Sequence, residues 1–242
     1  MKRLDTYSQN FLRSPQLVKE LIGHTSIDHD DIVYDIGAGS GVISSVLAER
    51  CKSVIAVEFE PRMVVKLREN MGKYPNVKIY QDDFLTMPLP KGPYKICANI
   101  PFHLSSLIVR KITEADNPPM AAYLIVQKQF ANKLLPDSDR FTGQLGMMIG
   151  PTFAVRIRKH LRRTDFSPPP NVDTMFIEII RRSEPLIDIK KMPSYRKFIE
   201  GCFSDPKIFV KTPRITIGLA PDIKPSQMKL AQWVELFKTV TK

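Results

Sequence analysis

Apolar and polar positions alternate along the chain in two rhythms, short runs with strand character and longer stretches with helical spacing. Ile32, Val33 and Ile36 form a run that ends at Gly37, Gly39 and Gly41, and Val42 to Arg50 follows with helical spacing, which predicts strand, tight turn, helix. Ser53 to Val57 is a second strand, Pro61 to Met71 a helix with Met63, Val64 and Leu67 as its buried stripe, and Val77 to Tyr80 and Tyr94 to Ala98 are further strands. Next come a helix from about Leu104 to Glu114, a strand over Ala121 to Val126, a helix from Gln127 to Leu135, and strands near Met148 to Ile157 and Asp173 to Arg181. Alternating strands and helices with a late hairpin predict an α/β fold with a Rossmann-like sheet.

The two ends of the chain carry different signals. Ser14 as N-cap, Pro15 at the first helical position, Leu17, Val18, Leu21 and Ile22 on one face and Gly23 as the stop predict a helix, with the polar stretch Ser8-Gln9-Asn10 and then Phe11-Leu12 just before it. By spacing alone Phe11 is a core anchor and Asn10 a turn residue. Arg181 to Ser194, with Pro185 and Pro193, predicts a linker. Beyond it Ser194 to Phe203 and Ser226 to Val240 are helical, the second with Met228, Ala231, Val234, Leu236 and Phe237 on its apolar side. The expected division is therefore 1–181 and 182–242.

Composition changes this picture in one respect. Of the 242 residues 43% are hydrophobic and 25% charged, an ordinary globular balance, and the longest apolar runs are strand-sized. They fall far short of the roughly 20 residues of a membrane span. Met1 to Asn10 is polar and unlike a signal peptide, so the cytoplasm is the expected location. Cys51, Cys97 and Cys202 stand singly, without ligand spacing, and read as reduced thiols with no metal site. His24, His29 and His160 read as surface residues, and His103 as a loop-packing residue. The net charge of +11 is the informative number: residues 181–242 hold 13 basic and 6 acidic side chains, and Arg156, Arg158, Lys159, Arg162 and Arg163 cluster with no acid between them. An excess of this kind suits a polyanionic substrate. Phosphate contacts need many such charges at once.

Chemistry enters at the strand ends. The three glycines let the backbone take positive φ and approach a ligand, and the helix start presents free N–H groups. Glu58 ends the second strand, about 20 residues past the first, where such folds place a carboxylate on a ribose. Asp-x-Gly-x-Gly-x-Gly at Asp35 to Gly41 resembles motif I of the S-adenosylmethionine-dependent methyltransferases rather than a nicotinamide site. Asp82-Asp83-Phe84 follows the third strand, and one of these carboxylates could accept from an exocyclic amine. Asn99-Ile100-Pro101-Phe102 follows the fourth. The Asn99 side-chain carbonyl, the Ile100 backbone carbonyl and the Phe102 ring suit an amino group on a planar base. Such an amine would donate both hydrogens and turn its lone pair toward the methyl.

Five motifs in order extend the resemblance: Gln9 to Leu12, Asp35 to Gly41, Asn99 to Ser105, Val126 to Ala131 and Phe166 to Val172. Together they resemble the rRNA adenine N6-methyltransferases, which include the 23S rRNA enzymes of macrolide resistance and the 16S rRNA adenine dimethyltransferases. The resemblance covers residues 8 to about 180. It implies a seven-stranded methyltransferase sheet, a small basic helical RNA-binding domain, and S-adenosylmethionine as cofactor. Asn10 and Leu12 would close over the cofactor, Gly37 and Gly39 approach its methionine part, Glu58 hold the ribose, and Phe59 lie on the adenine. Asp83 would take the cofactor's amino group, with Phe84 beside it. Asn99, Ile100, Pro101 and Phe102 would hold the target adenine, and Phe166 would stack on its other face. Many relatives have Tyr at the position of Phe102, a change that keeps the stacking face. The basic cluster and Lys207, Lys211 and Arg214 are the expected RNA contacts, although Phe203 to Gly218 resembles the family less than the rest.

The form of Asn99 to Ser105 and of Gln127 to Ala131, with the short chain, is similar to the 23S resistance enzymes, and a monomer is expected. A 16S dimethyltransferase is the alternative. Some relatives of this fold serve as transcription factors, a non-catalytic reading that an intact Asn99 to Phe102 loop argues against.

Overall fold

Each helix in the first half of the chain carries it back to the starting edge, so successive strands pair in parallel. The computed structural model describes residues 10–136 and 141–241; Gln9 of the first motif lies outside them. Seven strands form one sheet: β2 (Ile32–Ile36), β3 (Ser53–Glu58), β4 (Val77–Gln81), β5 (Lys95–Asn99), β6 (Ala121–Gln127), β7 (Phe153–Leu161) and β9 (Thr174–Arg181), in the order β4-β3-β2-β5-β6-β9-β7. This is the methyltransferase architecture expected. Val33 lies opposite Val54 and Asp35 opposite Ala56, while Tyr34 on its other side pairs with Ile96. The chain runs outward to β3 and β4 on one side of β2 and to β5 and β6 on the other. The strand order thus reverses at β2, and ligands of open α/β sheets bind beyond the strand ends at such a point.

The helices follow their signals. α1 (Pro15–Gly23) begins where the Ser14 hydroxyl accepts the Leu17 N–H at 3.3 Å. α2 (Val42–Ala48) starts from Gly41, whose φ of 92° requires glycine, and α3 spans Pro61–Met71. One turn of 3-10 helix, Phe102–Leu104, tightens the entry to α4 (Ser105–Glu114). Two short segments escaped the pattern: β1 (Phe11–Leu12) pairs antiparallel with β8 (Phe166–Ser167), Phe11 opposite Ser167 and Leu12 opposite Phe166.

The expected strand from Met148 to Ile157 is corrected. Gln144–Ile149 is a helix, α6, and β7 begins only at Phe153. Met147, Met148 and Ile149 are buried, and an apolar run of that length serves a buried helix as well as a strand.

The described residues form two compact units, one of 10–128 with 157–178 and the other of 129–136, 141–156 and 179–241. The expected boundary at 181/182 is therefore too simple, because a stretch that runs into the start of β7 belongs to the second unit. Within that unit Met147 and Met148 of α6 share a core with α7 (Met192–Ser204) and α9 (Leu230–Val240), and the Tyr195 hydroxyl donates to the Met147 carbonyl at 3.1 Å. Trp233 is fully buried there, stacked on Phe203 with centroids 5.6 Å apart. Two further short helices among the described residues are α5 (Lys128–Leu134) and α8 (Pro206–Val210). Among the described residues no helix is long and apolar enough to cross a membrane.

Candidate active site

The C-terminal ends of β2, β3, β4 and β5 deliver Gly37, Glu58, Asp83 and Asn99 to one cavity of about 630 Å³. Its wall includes Asn10, Gly37, Glu58, Phe59, Asp83, Phe84 and the whole run Asn99 to Phe102. Glu60, Asp82 and Phe11 join them. Four carboxylates and four phenylalanines thus face one space, and among the described lining residues there is no lysine or arginine. In a chain of net charge +11 this local reversal of sign is selective. It would repel a pyrophosphate and favour a flat aromatic ligand carrying positive charge.

Glu58 organises the turn. It is buried, its Oε2 accepting the Gly39 N–H at 2.8 Å and its Oε1 the Glu60 N–H at 2.9 Å, so its carboxylate ties the glycine loop to the end of β3. The Gly37 N–H donates to the Val57 carbonyl at 2.8 Å. Gly39 has a φ of 56°, and a Cβ there would lie 2.6 Å from the Phe11 ring. Phe11 therefore packs directly over the glycine turn. On β4's exit, Asp83 Oδ1 accepts the Leu85 N–H at 2.9 Å. Phe59 is 72% exposed, a flat apolar surface at the cavity.

Asn99 carries the most telling geometry. Its Nδ2 donates to the Asn10 carbonyl at 2.6 Å, which fixes the amide's orientation, while its buried Oδ1 has no hydrogen-bond partner. A buried acceptor left unpaired costs about 1–3 kcal/mol, which a donor arriving in the cavity would recover. The carbonyls of Pro101 and Phe102 are already taken by the N–H groups of Leu104 and Ser105 at the start of α4.

Asp35 lies beneath the turn, fully desolvated, with Oδ2 accepting the Ser44 hydroxyl at 2.6 Å. Burial pushes its carboxyl up to about 7; the Ser44 hydrogen bond opposes this and the charge of Glu58 adds to it. Between the ordinary aspartate value of about 4 and about 7 the folded protein retains a proton that the unfolded chain has released. Stability should therefore fall as pH rises through that window. Thermal melts of Asp35→Asn should lack this decline, so that the variant gains relative to wild type from about pH 4 to about 7 and keeps that gain above; parallel curves would contradict it.

A family model described as ribosomal RNA adenine dimethylase matches residues 2–211. The chain belongs to that family. Its members are S-adenosylmethionine-dependent methyltransferases of ribosomal RNA adenine, and the acidic, aromatic cavity fits that cofactor's cationic and adenine parts. An rRNA adenine N-6-methyltransferase of Lysinibacillus sphaericus is 32% identical over 193 residues, covering 79% of this chain and 77% of the relative. Another, from Saccharopolyspora erythraea, is 29% identical across 96% of this chain, which spans only 64% of that relative's length. Ribosomal RNA small subunit methyltransferase A of Latilactobacillus sakei is 26% identical, covering 94% of this chain and 86% of the relative. The crystal structure of the 23S rRNA methyltransferase ErmE superposes with a TM-score of 0.83 at 27% identity, covering 96% of this chain and all of that one.

Some of the expected site residues stand in other surroundings than the sequence suggested. Leu12 is buried and absent from the cavity wall, where its neighbour Phe11 stands instead. Phe166, expected as the second face of an aromatic clamp, is fully buried; paired with Leu12 across β1 and β8, it turns toward the core. Within the basic cluster, Arg158 lies 3.8 Å from Glu178, Lys159 pairs with Glu20, and Arg163 lies 3.3 Å from Asp173, so much of that charge is answered locally. Arg156 and Arg162 are exposed. In the second unit Lys207 and Lys211 are exposed, whereas Arg214 is buried with its guanidinium 4.6 Å above the Phe209 ring. The signals for Phe11 and Phe166 lay in the β1–β8 pairing, which two residues per strand are too short to announce.

Proposed function

We propose that the protein transfers methyl from S-adenosylmethionine to the N6 amine of an adenine in 23S rRNA, as a monomer in the cytoplasm, with resistance to ribosome-targeting antibiotics as the consequence. The observation that carries this reading is the buried, unpaired Oδ1 of Asn99 in the wall of an acidic, aromatic cavity.

When bound, S-adenosylmethionine supplies a methyl group already activated on a positively charged sulfur. The chain's own residues position the partners. Glu58, fixed by two backbone N–H groups, keeps lone pairs for ribose hydroxyls; Phe59 offers its exposed face to the cofactor's adenine, and Asp83 accepts from that adenine's amine. Asn99 Oδ1 and the Ile100 carbonyl accept the two hydrogens of the target amine, and Phe102 stacks on the base. A base held this way has left its helix. Most of the acceleration comes from alignment. Once methylated, the amine is acidic enough to release a proton to water, so no strong base is required.

The preference for 23S rRNA is supported by the extent of similarity to ErmE, and the small-subunit relatives make 16S rRNA the second reading. Labelled methyl transfer to protein-free 23S rRNA and, separately, to small subunits lacking adenine methylation tests the choice. Label at one adenine of free 23S rRNA is the expected result. Label confined to small subunits would assign the protein to ribosome assembly, and label in neither would favour a binding protein.

RNA docking is proposed to use Lys207 and Lys211. Replacing both with alanine should reduce the slope of log affinity against log salt by about 2. Arg214→Ala should instead lower the melting temperature through loss of its contact with Phe209. A slope unchanged in the double variant would place the docking surface elsewhere.

A further inference from the structure

The loop after β4 holds itself together through local bonds that leave some of its carbonyls unmatched. Asp83 accepts the Thr86 and Met87 N–H groups through its carbonyl, each at 3.0 Å, and the Leu85 N–H through its side chain at 2.9 Å. The Leu85 and Met87 carbonyls are met from outside the loop by one side chain, Lys111 of α4, whose Nζ donates to them at 3.0 and 2.6 Å. The same ammonium lies 5.6 Å from the centroid of the Phe84 ring, close enough for a cation–π contact. Phe84 is buried, and Asp82, Asp83, Phe84 and Leu85 all line the acidic cavity, whose described lining does not include Lys111.

We infer that Lys111 is a positioning residue for the cofactor: it fixes the loop that carries Asp83 and Phe84 without touching the ligand. The inference rests on the proposed cofactor site. Charge-assisted hydrogen bonds are about twice as strong as neutral ones, and two of them on one loop set where its carbonyls, and so its side chains, stand. α4 is also the helix that leaves the Asn99 to Phe102 loop, so one residue joins the segment that reads the cofactor to the element behind the segment that reads the substrate. Without Lys111 the loop keeps its local turn but loses its anchor to α4.

The test is calorimetric titration of S-adenosylmethionine into wild type, Lys111→Met and Lys111→Arg, with steady-state kinetics in parallel. Methionine keeps the stem's packing and removes the charge; arginine keeps the charge. Lys111→Met should weaken cofactor binding about tenfold and raise its KM alike, leaving kcat and the KM for RNA within about twofold, and Lys111→Arg should recover most of the loss. Equal affinity of wild type and Lys111→Met would overturn the inference, as would a loss shared equally by the RNA KM. If Lys111→Met does not fold, Lys111→Arg binding no better than tenfold below wild type would overturn it as well. Wild type that binds no S-adenosylmethionine would instead refute the site itself.

Discussion

Asn99→Ala should lower the single-turnover rate of methyl transfer by about 100- to 1,000-fold, the usual cost of removing one preorganised polar group aimed at the reacting centre. The reason is the division of labour within the side chain. Its Nδ2 is committed to the Asn10 carbonyl at 2.6 Å, and its Oδ1 is buried without a partner, so the amide is held ready to accept from one donor. Alanine removes both functions. RNA affinity should survive, because charges elsewhere supply most of it, and cofactor affinity should change far less than the rate. Rapid-quench measurement with labelled cofactor reads the first quantity and filter binding the second. An unchanged rate would exclude Asn99 as the acceptor of the target amine.

Glu58→Gln should weaken S-adenosylmethionine binding by about 100-fold, the loss of one strong charge-assisted contact made worse by disorder of the turn. Both carboxylate oxygens accept backbone N–H groups, from Gly39 at 2.8 Å and Glu60 at 2.9 Å. An amide in its place must set an NH2 group against one of those donors. The glycine loop that Phe11 packs against would then shift, and with it the floor of the cavity. Calorimetry on the variant checks this; affinity equal to wild type would remove Glu58 from the ribose.

Much of this site is legible in the amino-acid sequence, for a physical reason. In an open parallel sheet the ligand sits beyond the strand ends, so residues just past an apolar run are candidates by position alone. Gly37, Glu58, Asp83 and Asn99 each follow such a run, and the cavity gathers all four. Long periodic helices were equally legible: α3 spans Pro61–Met71 as its proline start and buried stripe require.

What the sequence concealed depends on contacts between distant segments. Leu12 and Phe11 are neighbours, and nothing local says which of them faces the glycine turn; pairing with Phe166 and Ser167 decides it. That pairing also withdraws Phe166 from the cavity. Arg214 reads as a surface cation until Phe209 is seen beneath it, and Arg158 as an RNA contact until Glu178 is found 3.8 Å away. Lys111 gave no signal at all, since a lysine on a helix is ordinarily a solvated charge, and its two carbonyl partners lie about 25 residues earlier in the chain. Met148 and Ile149 read as strand residues yet lie in a helix, because an apolar run without period fits either element.

The central claim is that this cavity presents an adenine's exocyclic amine to a methyl donor. It is tested most directly by incubating the protein with methyl-labelled S-adenosylmethionine and 23S rRNA, digesting the RNA to nucleosides, and identifying the labelled one by mass spectrometry. The account predicts label in N6-methylated adenosine, and its loss when Asn99 becomes alanine. Label on a ring carbon, on a ribose or on another base, or N6 label that persists undiminished in Asn99→Ala, would contradict it.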